Sequence, residues 1–429
     1  MGNTGPEGPV PRAASGVAGG RLRRPGGDAG EGRARLLVLN QYYWPGVEAT
    51  ANLLTELCSD LAEDFDVTVV TGTLRHAPPG RAVHEGVEVV RVRSTAFERR
   101  KLWLRALNYV TFLAQALRAG LGSERPDVVL AMTDPPVIAD VALVVARRFK
   151  APLVVVSQDV FPETAVELGR IRNPAVVSLL RALVRLYLRR ADRIVAIGET
   201  MRTRLEQKGA AAERITVIPN WVDTGAIRPT ARDNAWSREQ GFDARFVVMH
   251  SGNVGHAQDL DTLIRAATLL PDLDDLTVAI IGGGARHAEL VALAKSLGAE
   301  RVTFLPYQPR ELLAQSLSSA DVHVVGLAPG LAGYVVPSRL YGILAVGRPV
   351  IVAADGETET AQLVERVGCG VTVPPGRPDL LAAAIRRAHD GELDLAELGE
   401  RGRAYVATEG HRRTAVGRYR ELLLRVTGW

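Results

Sequence analysis

The chain has 429 residues, 47% hydrophobic and 23% charged, a balance that excludes a disordered protein and supports a large core without cross-links. Its 52 basic side chains barely exceed the 48 acidic ones and aromatic residues make up 5%, which argues against a nucleic-acid surface built on charge or base stacking. Two cysteines, Cys58 and Cys369, are too few for a disulfide framework or a zinc cluster and favour a reducing compartment.

Residues 1–33 are Gly-, Pro- and Arg-rich with no apolar core segment. They are expected to be a disordered leader, neither signal peptide nor anchor. The most apolar stretch, VVLAMTDPPVIADVALVVA, carries Asp134, Asp140 and two prolines within the ~20 residues that a membrane span requires. No span is predicted, and a cytoplasmic location is expected.

From Ala34, short β-branched runs alternate with amphipathic segments. ARLLVLNQYY, FDVTVVTG, DVVLAMT, PLVVVSQD, RIVAIGE and ITVIPN read as strands, with ANLLTELCSDLAED among the helices between them. Strands separated by helices predict a parallel sheet with right-handed crossovers. A polar break of about twenty residues follows Trp221, and the rhythm restarts with FVVMHSG, LTVAIIGGG, VTFLPY, DVHVVGL, RPVIVAA and GVTVPP. Two doubly wound α/β domains are predicted, over 34–222 and 223–408. A helix within 409–429 is expected to pack back on the first domain.

Ligands of open parallel sheets bind beyond the carboxyl ends of the strands, and two facing sheets leave a cleft between them. The strand-end loops therefore carry the candidate site. SGNVGHAQDL, with Gly252 and Gly255, is suited to bring backbone N–H groups to an anion, or is simply a tight turn. IGGGARHAEL repeats the arrangement, but His287 stands where a dinucleotide fingerprint needs its last glycine. In PSRLYGILAVGRPVIVA, Ser338 suits a helix start and Arg339 beside it offers a forked donor to a diphosphate; a capped core helix with a snorkelling arginine is the competing reading.

Two DxD sequences, Asp259-Leu260-Asp261 and Asp272-Leu273-Asp274, resemble metal sites of sugar transferases but fall at a helix start and in a polar loop, where solvated carboxylates are ordinary. No metal site is expected. Arg181, Arg185 and Arg189 recur every four residues in one helix, and RRKLWLRALNYVTFLAQALRAG is similar. Such basic amphipathic helices either contact an anionic membrane surface or form a solvated face of a domain.

Taken in order, QYYWPGVEATANLLTEL, SQDVFPETAVELG, ITVIPNWVD, SGNVGHAQDLDTLIRAA, IGGGARHAEL, PSRLYGILAVGRPVI and ETETAQLVERVGCGVTVPPG resemble glycosyltransferase family 4, over roughly Arg35 to Leu424. The likeness is to its bacterial cell-envelope branch of colanic-acid and O-antigen type. The resemblance implies an α/β GT-B fold: two facing doubly wound Rossmann-like domains with an interdomain cleft and a C-terminal helix. It implies donor contacts from Gly252, Asn253, Gly255, Gln258, Gly283, Gly284, Tyr307, Ser338, Arg339, Leu340 and Glu359. Acceptor contacts would come from Tyr43, Pro45, Gly46 and Thr50 in the loop 43–50, and from Gln158, Asp159 and Glu163. Asp159, Arg339 and Glu359 are the implied catalytic residues.

The chain departs from the family at defined positions. Asn253 and Gln258 stand where many members carry Arg and Lys, Tyr334 and Gly342 occupy the usual E-x7-E glutamates, and Gln158 replaces a common His. The implied chemistry is retaining transfer of a hexose or N-acetylhexosamine from a UDP-sugar co-substrate, without metal or cofactor. The acceptor would be a hydroxyl, polyprenyl-linked or other envelope glycan precursor, with the basic helices at the inner membrane face. A tailoring transferase on a soluble natural product, a UDP-sugar 2-epimerase and a non-catalytic sugar-nucleotide-binding partner are the competing readings.

Overall fold

The computed structural model describes residues 32–46, 49–74, 77–95 and 102–429. The expected leader lies outside them except for its last two residues, as do Val47 and Glu48 of the loop 43–50.

The first sheet contains β1 (Ala34–Leu39), β2 (Phe65–Thr71), β3 (Gly80–His84), β4 (Val87–Arg91), β5 (Val128–Met132), β6 (Leu153–Ser157), β7 (Arg193–Ala196) and β8 (Ile215–Val217). Their order across the sheet is β3-β4-β2-β1-β5-β6-β7-β8. All neighbours are parallel except the β3–β4 hairpin. That hairpin was not predicted. It turns on Glu85 and Gly86, both at positive φ (47° and 80°), the geometry of a two-residue turn matched to strand twist.

The central strands are buried on both faces because helices cover both. Leu102–Leu121, Ile138–Phe149 and Pro174–Arg190 lie over one face around Phe112, Leu188 and Ile194. The other face packs the helix Ala49–Leu61 together with the last helix of the chain, Arg412–Thr427, through Leu54, Leu57, Tyr419 and Leu423. Arg412 pins that helix to Asp60 at 2.7 Å and to Asp223 at 3.1 Å.

The second sheet contains β9 (Phe246–Ser251), β10 (Leu276–Ile281), β11 (Val302–Leu305), β12 (Val322–Gly326), β13 (Val350–Ala353) and β14 (Gly370–Val373). Its order is β11-β10-β9-β12-β13-β14, all parallel. The order reverses at β9, so the loops after β9 and β12 diverge and leave a crevice at their carboxyl ends. The two domains touch at several points. Glu56 accepts from Trp221 at 3.0 Å and from Arg310 of the second domain at 3.0 Å. Arg204 donates to the carbonyl of Ala332 at 3.1 Å and lies 4.8 Å from the ring centre of Tyr334.

Candidate active site

The loops after β9 and β10 interlock through their backbones. Val254 N–H donates to the carbonyl of Gly283 at 2.9 Å, and Gly252 N–H to that of Ile281 at 2.8 Å. Gly282 has φ +137°, and a Cβ there would lie 1.9 Å from the Gly252 oxygen. A Cβ on Gly284 would lie 2.3 Å from the Val254 oxygen. Gly282 and Gly284 of the IGGG run are thus glycines because another backbone passes through the space of their side chains. Tyr307 covers this pair of loops, its hydroxyl donating to the Gly283 carbonyl at 3.1 Å while its ring stays 59% exposed.

Arg339 is the first residue of the helix Arg339–Ala345. Its guanidinium lies beside Gly252, 3.5 Å from the position of a Cβ there. Nη1 contacts the two ring nitrogens of His250 at 3.0 and 3.1 Å. Burial, with the Arg339 charge adding to it, holds His250 well below the usual histidine range, so the ring is neutral and accepts. Burial also lowers Arg339 to about 10, which still leaves it cationic at neutral pH. No carboxylate pairs with it among the described residues. A half-buried cation with only a neutral imidazole for a partner is a site for an anion.

The segment leading to Arg339 is held by the first domain. Asp159 and Val335 form a backbone bridge, and Val160 N–H donates to the Tyr334 carbonyl at 2.9 Å. Asp159, exposed on the loop after β6, and Arg339 therefore come from segments in direct contact.

Several expected site residues are placed otherwise. Leu340 is 2% exposed within the second domain's core, because one step along the helix from Arg339 turns its side chain by about 100° onto the core face. Tyr43 is likewise a core side chain, packed with Leu57 and Cys58. Gln258 turns back on its own loop, its Oε1 accepting from Gly255 N–H at 3.1 Å. Gln158 exchanges hydrogen bonds with buried Asn220 at 3.3 Å. Glu163 is taken by Arg181 at 3.0 Å and by Lys208; burial pushes its carboxyl up, but these cations win and hold it below the usual range.

Ser338 makes no capping hydrogen bond. Thr50 donates to Asp134 at 3.2 Å, Gly46 N–H donates to the Tyr43 carbonyl at 2.8 Å, and Pro45 is exposed. Asn253 sits between the glycine loops, its carbonyl 3.4 Å from His250 Nε2. Glu359, expected at the donor hydroxyls, instead accepts from Thr200 of the first domain. The residue missed altogether is His250. Within FVVMHS it reads as part of a buried strand, and only its place at the strand's carboxyl end hinted at function.

Among the described residues no group of three His, Cys, Asp or Glu side chains is arranged to hold a metal. The DxD carboxylates are engaged elsewhere: Asp261 with Arg286 at 2.8 Å, Asp272 with Arg386 at 2.7 Å, Asp274 with Arg301 at 3.3 Å, and Asp259 with the Gly376 amide at 2.9 Å.

Two facing doubly wound sheets, with the glycine loops and Arg339 at the carboxyl ends of the second, form a GT-B architecture, and solved structures share that fold. Sucrose-phosphate synthase of Thermosynechococcus elongatus superposes with a TM-score of 0.76 at 18% identity, covering 92% of this chain and 100% of its own. HepE of Anabaena, solved with UDP-glucose, gives 0.69 at 18%, covering 91% and 99%. Residues 46–221 match the model of the glycosyl transferase 4-like domain and residues 233–405 that of glycosyl transferases group 1. The chain belongs to the GT-B glycosyltransferases of family 4. WcaI of Escherichia coli, assigned as a colanic acid biosynthesis glycosyl transferase, is 33% identical over 51% of this chain and 55% of its own length. WbjE of Pseudomonas aeruginosa, assigned as a glycosyltransferase, is 27% identical over 85% of this chain and 92% of its own.

Proposed function

We propose that the chain transfers a hexose or N-acetylhexosamine from a UDP-sugar to a hydroxyl of a lipid-linked envelope glycan precursor, with retention and without a metal. The observation that carries this reading is Arg339, a half-buried cation with no counter-ion among the described residues, beside the glycine loops and on a segment bridged to Asp159. HepE, whose fold this chain shares, was solved with UDP and with UDP-glucose. WcaI supports an envelope acceptor.

In this reading the bond from the anomeric carbon to the donor diphosphate breaks as the acceptor oxygen bonds that carbon from the same face. The acceptor proton passes to the departing phosphate oxygen. Arg339 meets the charge that accumulates on that phosphate, and Asp159 orients the acceptor hydroxyl. Tyr307, exposed over Gly283, offers a ring for the base to stack on. The engagement of the DxD carboxylates by arginines and a backbone amide supports metal independence.

A thermal-shift panel of UDP, GDP and ADP and their sugars tests the donor, since a bound ligand stabilises by mass action. UDP compounds should give the largest shifts, and a larger shift with GDP would overturn the base assignment. Loss of turnover in EDTA that manganese restores would overturn metal independence.

A further inference from the structure

His250 is the fifth of the six residues of β9 and is fully buried. Backbone groups hold its ring on two sides: Nε2 lies 3.4 Å from the Asn253 carbonyl, and Val324 of β12 supplies a second backbone hydrogen bond. Nη1 of Arg339 stands 3.0 Å from Nε2 and 3.1 Å from Nδ1. In the plane of the ring, near-equal distances to both nitrogens would drive Nη1 into the carbon between them. The guanidinium nitrogen therefore lies over the imidazole face, where the π system attracts a cation. The same guanidinium runs along Gly252, where a Cβ would lie 3.5 Å from Nε and 3.6 Å from Cζ. His323 of β12 is the other titratable side chain that acts on this ring. Burial lowers it to about 4, and its Nε2 lies 2.9 Å from the Leu317 carbonyl. Among the described residues no carboxylate acts on the His250 ring.

A carboxylate in this place would hold Arg339 more strongly, but it would cancel the charge that a diphosphate needs. With no partner at all, the long side chain would keep its rotamer freedom and surrender it each time an anion bound. A neutral ring fixed by backbone avoids both costs. We propose that His250 is a positioning residue: its imidazole face holds the Arg339 guanidinium against the loop at Gly252, set in advance for the donor diphosphate. The proposal rests on the donor reading of Arg339 and adds the residue that aims it. His250 touches no substrate in this account and acts only through the arginine.

UDP and uridine, titrated in parallel against wild type, His250→Leu, Arg339→Ala and the double variant, test this without the acceptor. His250→Leu should weaken UDP about fivefold, the loss of one stacked cation contact. Uridine affinity should stay unchanged, since uridine has the base and ribose but no phosphate. With Arg339→Ala already in place, adding His250→Leu should weaken UDP no further, because the ring acts only through that side chain. His250→Phe keeps a face for the guanidinium and should hold UDP within about twofold of wild type. Equal losses of UDP and uridine, or a UDP loss that multiplies with that of Arg339→Ala, would overturn the positioning role. A folded His250→Phe protein with binding as weak as that expected of His250→Leu would overturn it too, and that arm stands even where the leucine variant does not fold. If UDP binding does not depend on Arg339, the donor reading fails and takes this role with it. If it depends on Arg339 but not on His250, only the positioning role fails.

Discussion

The carboxylate of Glu359 and the backbone of Thr200 meet across the domain boundary: Oε2 accepts from the Thr200 N–H at 3.2 Å and from its hydroxyl at 3.3 Å. Thr200 lies in the first turn of the helix Glu199–Gln207, whose N-cap, Gly198, has no side chain to satisfy the free N–H groups. Glu359 supplies that cap from the other domain. It can approach because Gly198 is bare; a Cβ there would lie 2.5 Å from Oε2.

Glu359→Ala should therefore lower thermal stability, by the about 0.5–2 kcal/mol typical of a lost cap, and leave affinities for UDP and UDP-sugar in a constant ratio. If Glu359 instead read donor hydroxyls, UDP-sugar affinity would fall while UDP affinity held. Isothermal titration with both ligands distinguishes the two outcomes.

Tyr334 occupies the position of a family glutamate, and its ring lies under Arg204 of the first domain while its carbonyl accepts from Val160. The segment that ends in Arg339 is thereby tied to the acceptor domain. Arg204→Ala removes the stacked cation, worth about 0.5–2 kcal/mol, and the bond to the Ala332 carbonyl. Turnover should drop several-fold with UDP affinity unchanged, because the contact aligns the domains without touching the nucleotide. A parallel fall in UDP affinity would contradict this.

Asp140 lies in the first turn of the helix Ile138–Phe149, with both carboxyl oxygens buried and without a hydrogen-bond partner among the described residues. Burial pushes its pKa up from 3.8 to about 7. The folded state then holds a proton that the unfolded chain has released, so stability declines as pH rises from about 4 through about 7. Asp140→Asn should raise the melting temperature above pH 7 and confer little near pH 4. A gain of equal size at both ends would rule out titration of Asp140 as its cause.

Much of this architecture was legible in the chain. The β-branched runs from ARLLVL to GVTV mark twelve of the fourteen strands in the described residues, because strands buried on both faces must be apolar throughout. The pair β3 and β4 escaped notice because an edge hairpin, RAVHEGVEVVR, alternates charge with apolar residues and carries no such run. At the site, Arg339 and the glycine loops were visible as local motifs. The Glu359–Thr200 contact spans 159 positions, and no local pattern encodes a partner that far away. Leu340 and Tyr43 were assigned by neighbourhood to site residues, yet adjacent positions on a helix or loop face different surroundings.

The central claim is that Arg339 neutralises the donor phosphate as the glycosidic bond breaks, and kinetics of Arg339→Ala and Arg339→Lys with UDP affinity measured in parallel test it most directly. The alanine variant should lose about a hundredfold or more in kcat, the effect of removing one preorganised partner of a developing charge, with a smaller loss in UDP binding. No neighbour replaces it, since Asn253 and Gln258 are uncharged and Gln258 is turned toward Gly255. Lysine should recover part of the rate by restoring charge without the planar fork. A folded Arg339→Ala protein with near-wild-type turnover would contradict the account and displace the donor site from these loops.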